Sequence, residues 1–148
     1  RWNVVRDPAG GTLLAGARDA SSHRLRDSLA AMRAGQFPAT LQAGQNTTIG
    51  VLATDAALDS GQLQRLAVMG QDGYAFAIRP IHTPFDGDTL FALATGRTAL
   101  PDRPDALLRL GSIAADVVAR AVARGVYEAQ DLGEMTSYRT RWHHRWGF

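Results

Sequence analysis

Residues 46–54 read Asn46-Thr47-Thr48-Ile49-Gly50-Val51-Leu52-Ala53-Thr54, and the change of character inside them decides the fold. Ahead of them Pro38, Thr40, Gln42, Gly44 and Gln45 follow no period, as in a flexible surface loop. From Thr48 the chain turns apolar and rich in β-branched residues, which predicts a central strand over 48–54 covered on both faces. A polar loop thus runs directly into a buried strand, and Thr47 stands at the join.

On either side the pattern alternates between extended and helical segments. Trp2 to Val5, the turn signal Asp7-Pro8-Ala9-Gly10-Gly11 and the run 12–17 predict a hairpin. Ser21 or Ser22 can cap a short amphipathic helix through Leu25, Leu29 and Met32, with Gly35 placed to stop it. Asp59 or Ser60 opens a second helix through Leu63, Leu66 and Met69. Gly70 and Gly73 weaken it, so a break at Asp72-Gly73 and a continuous run to Ile78 both remain open, with Pro80 as the limit. A buried strand is expected over 89–95, closed by Gly96. Leu107, Leu110, Ile113, Ala114, Val117, Val118, Ala121 and Val122 recur at helical spacing. They predict a long amphipathic helix over about 104–128, with Asp102 as its cap and Pro104 in its first turn. The βαβ spacing and glycine fingerprint of a nucleotide-binding fold are not expected.

Composition narrows the function classes. Sixteen Lys+Arg against fourteen Asp+Glu leave a net charge of +2, too balanced for a phosphate-binding surface, so no nucleic-acid partner is expected. Interleaved basic and aromatic residues at 138–146 read as a terminal or subunit-contacting segment. With no cysteine there is no thiolate nucleophile, disulfide or cysteine-held zinc. No apolar run reaches membrane-spanning length and no signal-peptide order is visible, so a cytoplasmic protein without a membrane partner is expected. Because 1–5 read as a strand already under way, an upstream portion is expected as well.

The chemistry concentrates at the Asn46–Thr47 bond. A threonine hydroxyl is almost never ionised near neutral pH and needs a base beside it. If the threonine is the first residue of a chain, its own α-amino group, with an ordinary pKa of about 8, is within reach of the hydroxyl. Cleavage before Thr47 would create that arrangement. On local features alone, however, Asn46-Thr47-Thr48 is a polar turn before a strand, or a glycosylation acceptor pattern. Asp86 and Asp88 flank Gly87; in an extended segment their carboxylates share a face roughly 7 Å apart. Without wider context Asp-Gly-Asp is a solvated turn or a fragment of a calcium loop, and the residues after it lack the further oxygen ligands such a loop needs.

The wider match is what raises the catalytic reading. The segments 46–56, Arg65-Leu66-Ala67, Asp72-Gly73, Ile78-Arg79-Pro80-Ile81-His82-Thr83 and 85–96 closely resemble the P1 peptidase family, as do Asp7-Pro8, Ala15-Gly16-Ala17-Arg18 and 115–127. That family includes self-processing aminopeptidase/D-esterases and nylon-oligomer (6-aminohexanoate oligomer) hydrolases. The resemblance implies an α/β (α+β) chain in a four-layer αββα sandwich of N-terminal-nucleophile type, here a partial domain. It also implies self-cleavage between Asn46 and Thr47, with 1–46 ending the α chain and 47–148 forming the β chain. Thr47 becomes the nucleophile, its freed amine the base, and Asp86 and Asp88 the acidic pair that orients them. No cofactor or metal is implied.

The implied partners are a small amide or peptide substrate, the upstream α-chain portion, and further copies in a homo-oligomer of αβ units. Asp-Gly-Asp, in place of the Ser-Gly-Glu of the aminopeptidase branch, favours a hydrolase of short linear amides. An aminopeptidase with esterase activity and a non-catalytic assembly module are the alternatives. The family's oxyanion asparagine and its pocket tyrosine and lysine fall before Arg1, and Asn3 is not matched to them. Gln71 and Phe76 depart from the His and Arg of relatives. His82 is read as structural, His143 and His144 as tail residues, and Trp2, Trp142 and Trp146 as core or interface.

Overall fold

A computed structural model describes residues 4–6, 13–37 and 47–142. Its centre is a parallel pair of strands, β3 (Ile49–Ala57) and β5 (Thr89–Ala99), in register from Ile49 opposite Thr89 to Thr54 opposite Ala94. Parallel neighbours need a crossover, and helix α2 (Ser60–Ala77) supplies it. The β3–α2–β5 segment is therefore a βαβ unit, contrary to the spacing expectation. The return path is disguised because α2 leads first into the two-residue strand β4 (Ile78–Arg79) and a turn, not directly into β5. Gly96 does not close β5. It adopts φ +70 where the register slips between Thr54 and Ala56, and pairing resumes with Ala56 opposite Thr98.

Helix α2 is continuous. Asp59 caps it and forms a reciprocal capping box with Gln62. The two glycines expected to weaken it serve packing instead. A Cβ on Gly73 would lie 2.3 Å from the carbonyl oxygen of Ala115, and one on Gly70 would press on Leu52 and Leu90 at 3.1 Å. Their bareness lets α2 lie close against α3 (Ala106–Tyr127) and the strands. Leu52, Leu66, Tyr74, Ala114 and Val118 form the core between these layers.

The other face of the strand pair is open among the described residues. Ile49 is 70% exposed, Val51 63%, Phe91 58% and Leu93 45%. Of the two faces expected to be covered over 48–54, one carries a helical layer among the described residues and the other, equally apolar, does not.

Beside this unit, β1 (Val4–Arg6) pairs antiparallel with β2 (Leu13–Ala15), as the hairpin expectation held, and with β4 on its other edge. Helix α1 is shorter than expected, Ser28–Arg33, and Asp27 caps it in place of Ser21 or Ser22. Those serines instead close a turn on Asp19, whose Oδ1 accepts from Ser21 N, Ser21 Oγ and Ser22 N. These bonds hold the Asp19 carboxyl well below the usual carboxylate range. Gly35, at φ +73, follows α1 as expected. Asp105, not Asp102, stands at the start of α3. Its carboxylate pairs with Arg103 at 2.9 Å and does not cap the helix. Helix α4 (Tyr138–Trp142) ends the described chain. The architecture is mixed α and β, with helices on one side of a small parallel sheet.

Candidate functional site

Thr47 and Thr48 lead into β3 at the end where β5 also begins. Thr48 extends the pairing by one residue, its carbonyl accepting from Thr89 N at 2.9 Å. Its own N–H donates to Asp88 Oδ1 at 2.8 Å. One residue earlier, Thr47 sits against Gly87: a Cβ there would come within 3.0 Å of Thr47 Oγ1. The glycine between the two aspartates is thus what lets the threonine approach the turn.

The two carboxylates hold different partners. Asp88 is inside the protein, its side chain 3% exposed. It accepts from Thr48 N through one oxygen and from His82 N through the other, at 3.3 Å. Asp86 closes a turn, its Oδ2 accepting from Thr83 N at 2.9 Å and Thr83 Oγ1 at 2.7 Å, while its own N–H returns to the Thr83 carbonyl. Its Oδ1 has no partner among the described residues.

His82 belongs to this group too. Its Nδ1 lies 3.4 Å from Asp88 Oδ2, and its backbone adopts φ +55. The sequence predicts a structural role for it. Its closeness to Asp86 and Asp88 in sequence was the signal that it belonged to their surroundings.

Tyr74, from the last turns of α2, forms the floor. Its hydroxyl donates to the Thr89 carbonyl at 3.2 Å and lies beneath Gly50, where a Cβ would overlap it. Burial, and then the charge of Asp88, raise its pKa above the ordinary 10.0. Sequence reasoning did not single out Tyr74 as part of the site.

Thr47 and Thr48 line one side of a cavity of about 1030 Å³. Val118 and Val122 of α3 contribute apolar wall, and Arg18, Arg141 and Trp142 line it as well. In the sequence Arg18 stands out only within Ala15-Gly16-Ala17-Arg18.

Asn46 lies outside the described residues, as do Trp2, Asn3, His143, His144 and Trp146. Gln71 is half-buried and Phe76 is exposed on α2. Among the described residues no group of three His, Asp or Glu side chains could hold a metal, and no helix is long and apolar enough to cross a membrane. Chemically, the arrangement offers a hydroxyl on a cavity wall, a buried carboxylate one residue along the strand, and a second carboxylate with an uncommitted oxygen.

Comparison with known proteins adds a lineage. A family model described as peptidase family S58 matches residues 10–140. An uncharacterized aminopeptidase of Mycobacterium tuberculosis (strain ATCC 25618 / H37Rv) is 49% identical over 104 residues, 64% of this chain and 30% of the relative. A 6-aminohexanoate-oligomer endohydrolase of Kocuria sp. (strain KY2) is 35% identical over 131 residues, 80% of this chain and 36% of the relative. One from Paenarthrobacter ureafaciens is 34% identical over 137 residues, again 80% of this chain and 38% of the relative. The chain spans about a third of the length of these curated relatives.

Proposed function

Because the chain belongs to peptidase family S58, we propose that it is the nucleophile-bearing part of an amide hydrolase that activates itself by cutting the Asn46–Thr47 bond. The observation that carries this reading is the seating of Thr47: its Oγ1 packs on Gly87 while the next residue's N–H is held by the buried Asp88.

In the precursor, Thr47 Oγ attacks the Asn46 carbonyl carbon. The C–N bond breaks, an ester joins Asn46 to Thr47 Oγ, and water hydrolyses it, leaving an Asn46 carboxylate and a free Thr47 amine. Residues 1–46 then end the α chain and 47–148 form the β chain. In turnover the amine takes the hydroxyl proton as Oγ attacks the substrate carbonyl, and returns it to the departing amine. Water completes the cycle by releasing the acyl group. Asp88 holds the strand start in place, and the second oxygen of Asp86 is suited to the new ammonium.

The open apolar face of β3 and β5 supports the finer architecture, a four-layer αββα sandwich in which a second sheet from the α portion covers Ile49, Val51, Phe91 and Leu93. The αβ units then assemble as a homo-oligomer. The substrates are short linear amides of the 6-aminohexanoate-oligomer type, a choice supported by Asp-Gly-Asp at 86–88 and by the oligomer hydrolases that match over most of the chain. A second reading, an aminopeptidase with esterase activity on small peptides, is favoured by the higher identity to the mycobacterial relative.

Mass spectrometry of the full precursor tests the core of the proposal. A fragment beginning at Thr47 is expected, and Thr47→Ala should abolish both that fragment and hydrolysis. Hydrolysis that persists in Thr47→Ala would remove Thr47 as nucleophile. A wild-type precursor that never cleaves would favour a non-catalytic assembly module.

A further inference from the structure

The cavity that Thr47 lines is also lined by Arg18, a cation with no ion pair among the described residues. Arg18 is half-buried and lines the same cavity as Thr47. Its Nε donates to Tyr138 Oη at 2.9 Å and its Nη1 to the His23 carbonyl at 2.7 Å. Its guanidinium carbon lies 4.6 Å from the centre of the Trp142 ring. These contacts fix the side chain through neutral acceptors and ring faces, and none of them neutralises it. Among the described residues Arg18 forms no ion pair, and Nη2 has no hydrogen-bond partner.

The other charged groups on that part of the wall do not change the sign. Asp19 lines the cavity as an ionised carboxylate whose Oδ1 accepts from Ser21 and Ser22 and forms no ion pair with Arg18, so one negative charge stands there against the two positive charges of Arg18 and Arg141. Arg141 lines the cavity too, and among the described residues it has no ion pair either. A strut that only tied the 16–26 loop to α4 would have no need of a permanent charge, because a neutral donor could serve Tyr138 and His23. A guanidinium held rigidly on an aromatic face, with one terminal nitrogen uncommitted beside an apolar wall, is suited to a planar anion.

We propose that Arg18 is a specificity-determining residue that binds the free carboxylate of a short linear amide whose scissile carbonyl is presented to Thr47. This inference rests on the amide-hydrolase reading above and sharpens it: the preferred substrates carry a terminal carboxylate on the leaving-amine half, and the charged end is read away from the reacting bond.

The test uses the processed full-length enzyme with four probes, the linear dimer of 6-aminohexanoate and a dipeptide, each as free acid and as carboxamide. Wild type should favour the free acid by about tenfold or more in kcat/KM, expressed mainly in KM, because a charge-assisted hydrogen bond is lost with the carboxamide. Arg18→Met should erase that preference, the free acids losing about tenfold more in kcat/KM than the carboxamides do, and Arg18→Lys should retain part of it. Self-cleavage, which needs no substrate carboxylate, should proceed in both variants.

Wild-type enzyme that hydrolyses acid and carboxamide equally well overturns the role of Arg18 and leaves the hydrolase reading standing. So does an Arg18→Met variant that slows both forms alike, since that is the behaviour of a strut. If Arg18→Met yields no processed protein, Arg18→Lys decides: retained preference supports the assignment and lost preference defeats it. A processed wild type that hydrolyses none of the four probes defeats the hydrolase reading itself.

Discussion

The two faces of the β3–β5 pair are built from one kind of residue and meet opposite surroundings. Inward, Leu52 and Leu90 pack with Leu66, Tyr74, Ala114 and Val118 under α2 and α3. Outward, Ile49, Val51, Phe91 and Leu93 lie exposed among the described residues. Strand sequences that are apolar on both sides state that both faces are meant for burial, but not which layers bury them. Thr47 stands at the end of this divided sheet, and its seat on Gly87 and Asp88 depends on the inner face being rigid.

The sharpest way to break the contrast is to damage the inner face. Leu66 is 1% exposed at the centre of the core. Leu66→Ala should cost about 2–5 kcal/mol, since a cavity remains where neighbours cannot collapse. Denaturant unfolding measures it, and a loss below about 1 kcal/mol would mean that the helical layer is looser than described. Gly73→Ala attacks the same layer through crowding. Its new Cβ meets the Ala115 carbonyl, the Val118 Cβ and the Ala119 nitrogen, two of them backbone atoms that cannot swing away. A loss of about 1–3 kcal/mol is expected, visible as a lowered midpoint; an unchanged midpoint would mean that the helices can part without cost.

Tyr74→Phe probes the joint between the inner face and the site. Losing the bond to the Thr89 carbonyl should cost about 0.5–1.5 kcal/mol at neutral pH. The pH dependence has a definite sign. Burial and Asp88 raise the folded-state pKa above 10.0, so the unfolded chain releases this proton first. The stabilisation is complete below pH 10 and lost as pH rises through the folded value. Wild type should therefore lose more stability than Tyr74→Phe between neutral pH and the region above pH 10. Parallel alkaline unfolding curves would exclude Tyr74 as a source of that dependence.

How far these features were legible in the sequence follows from the range of the interactions involved. The hairpin, the long helix and the strand at 49–57 rest on local periodicity and turn residues, and they emerged near their expected positions. The cap of α1 was misplaced because Ser21, Ser22 and Asp27 are all competent caps, and a turn centred on Asp19 claimed the serines. Gly70, Gly73 and Gly96 were read as weaknesses or stops because a lone sequence does not display the backbone that passes beside a glycine. At the site, the bond from Thr48 to Asp88 joins residues forty positions apart. Periodicity cannot reveal it, and only the resemblance to the P1 peptidase family singles out both ends. Arg18 escapes a sequence reading for a related reason: its contacts with Tyr138 and Trp142 join positions more than a hundred residues apart.

The smallest expected effect tests the outer face. Phe91 is a large apolar side chain, yet in this chain it has little packing to lose. Phe91→Ser should therefore change the stability of the 148-residue chain by no more than about 0.5 kcal/mol, the ordinary range for an exposed site. The same change in the processed αβ protein should be costly if a second sheet covers this face, on the order of 2–3 kcal/mol for the burial lost. Measuring both separates two explanations of the apolar outer face. A small effect in each would leave the face uncovered and count against the four-layer proposal. A large effect already in the isolated chain, falling as the protein is diluted, would show that a second copy shields the face, with the same residues serving self-association.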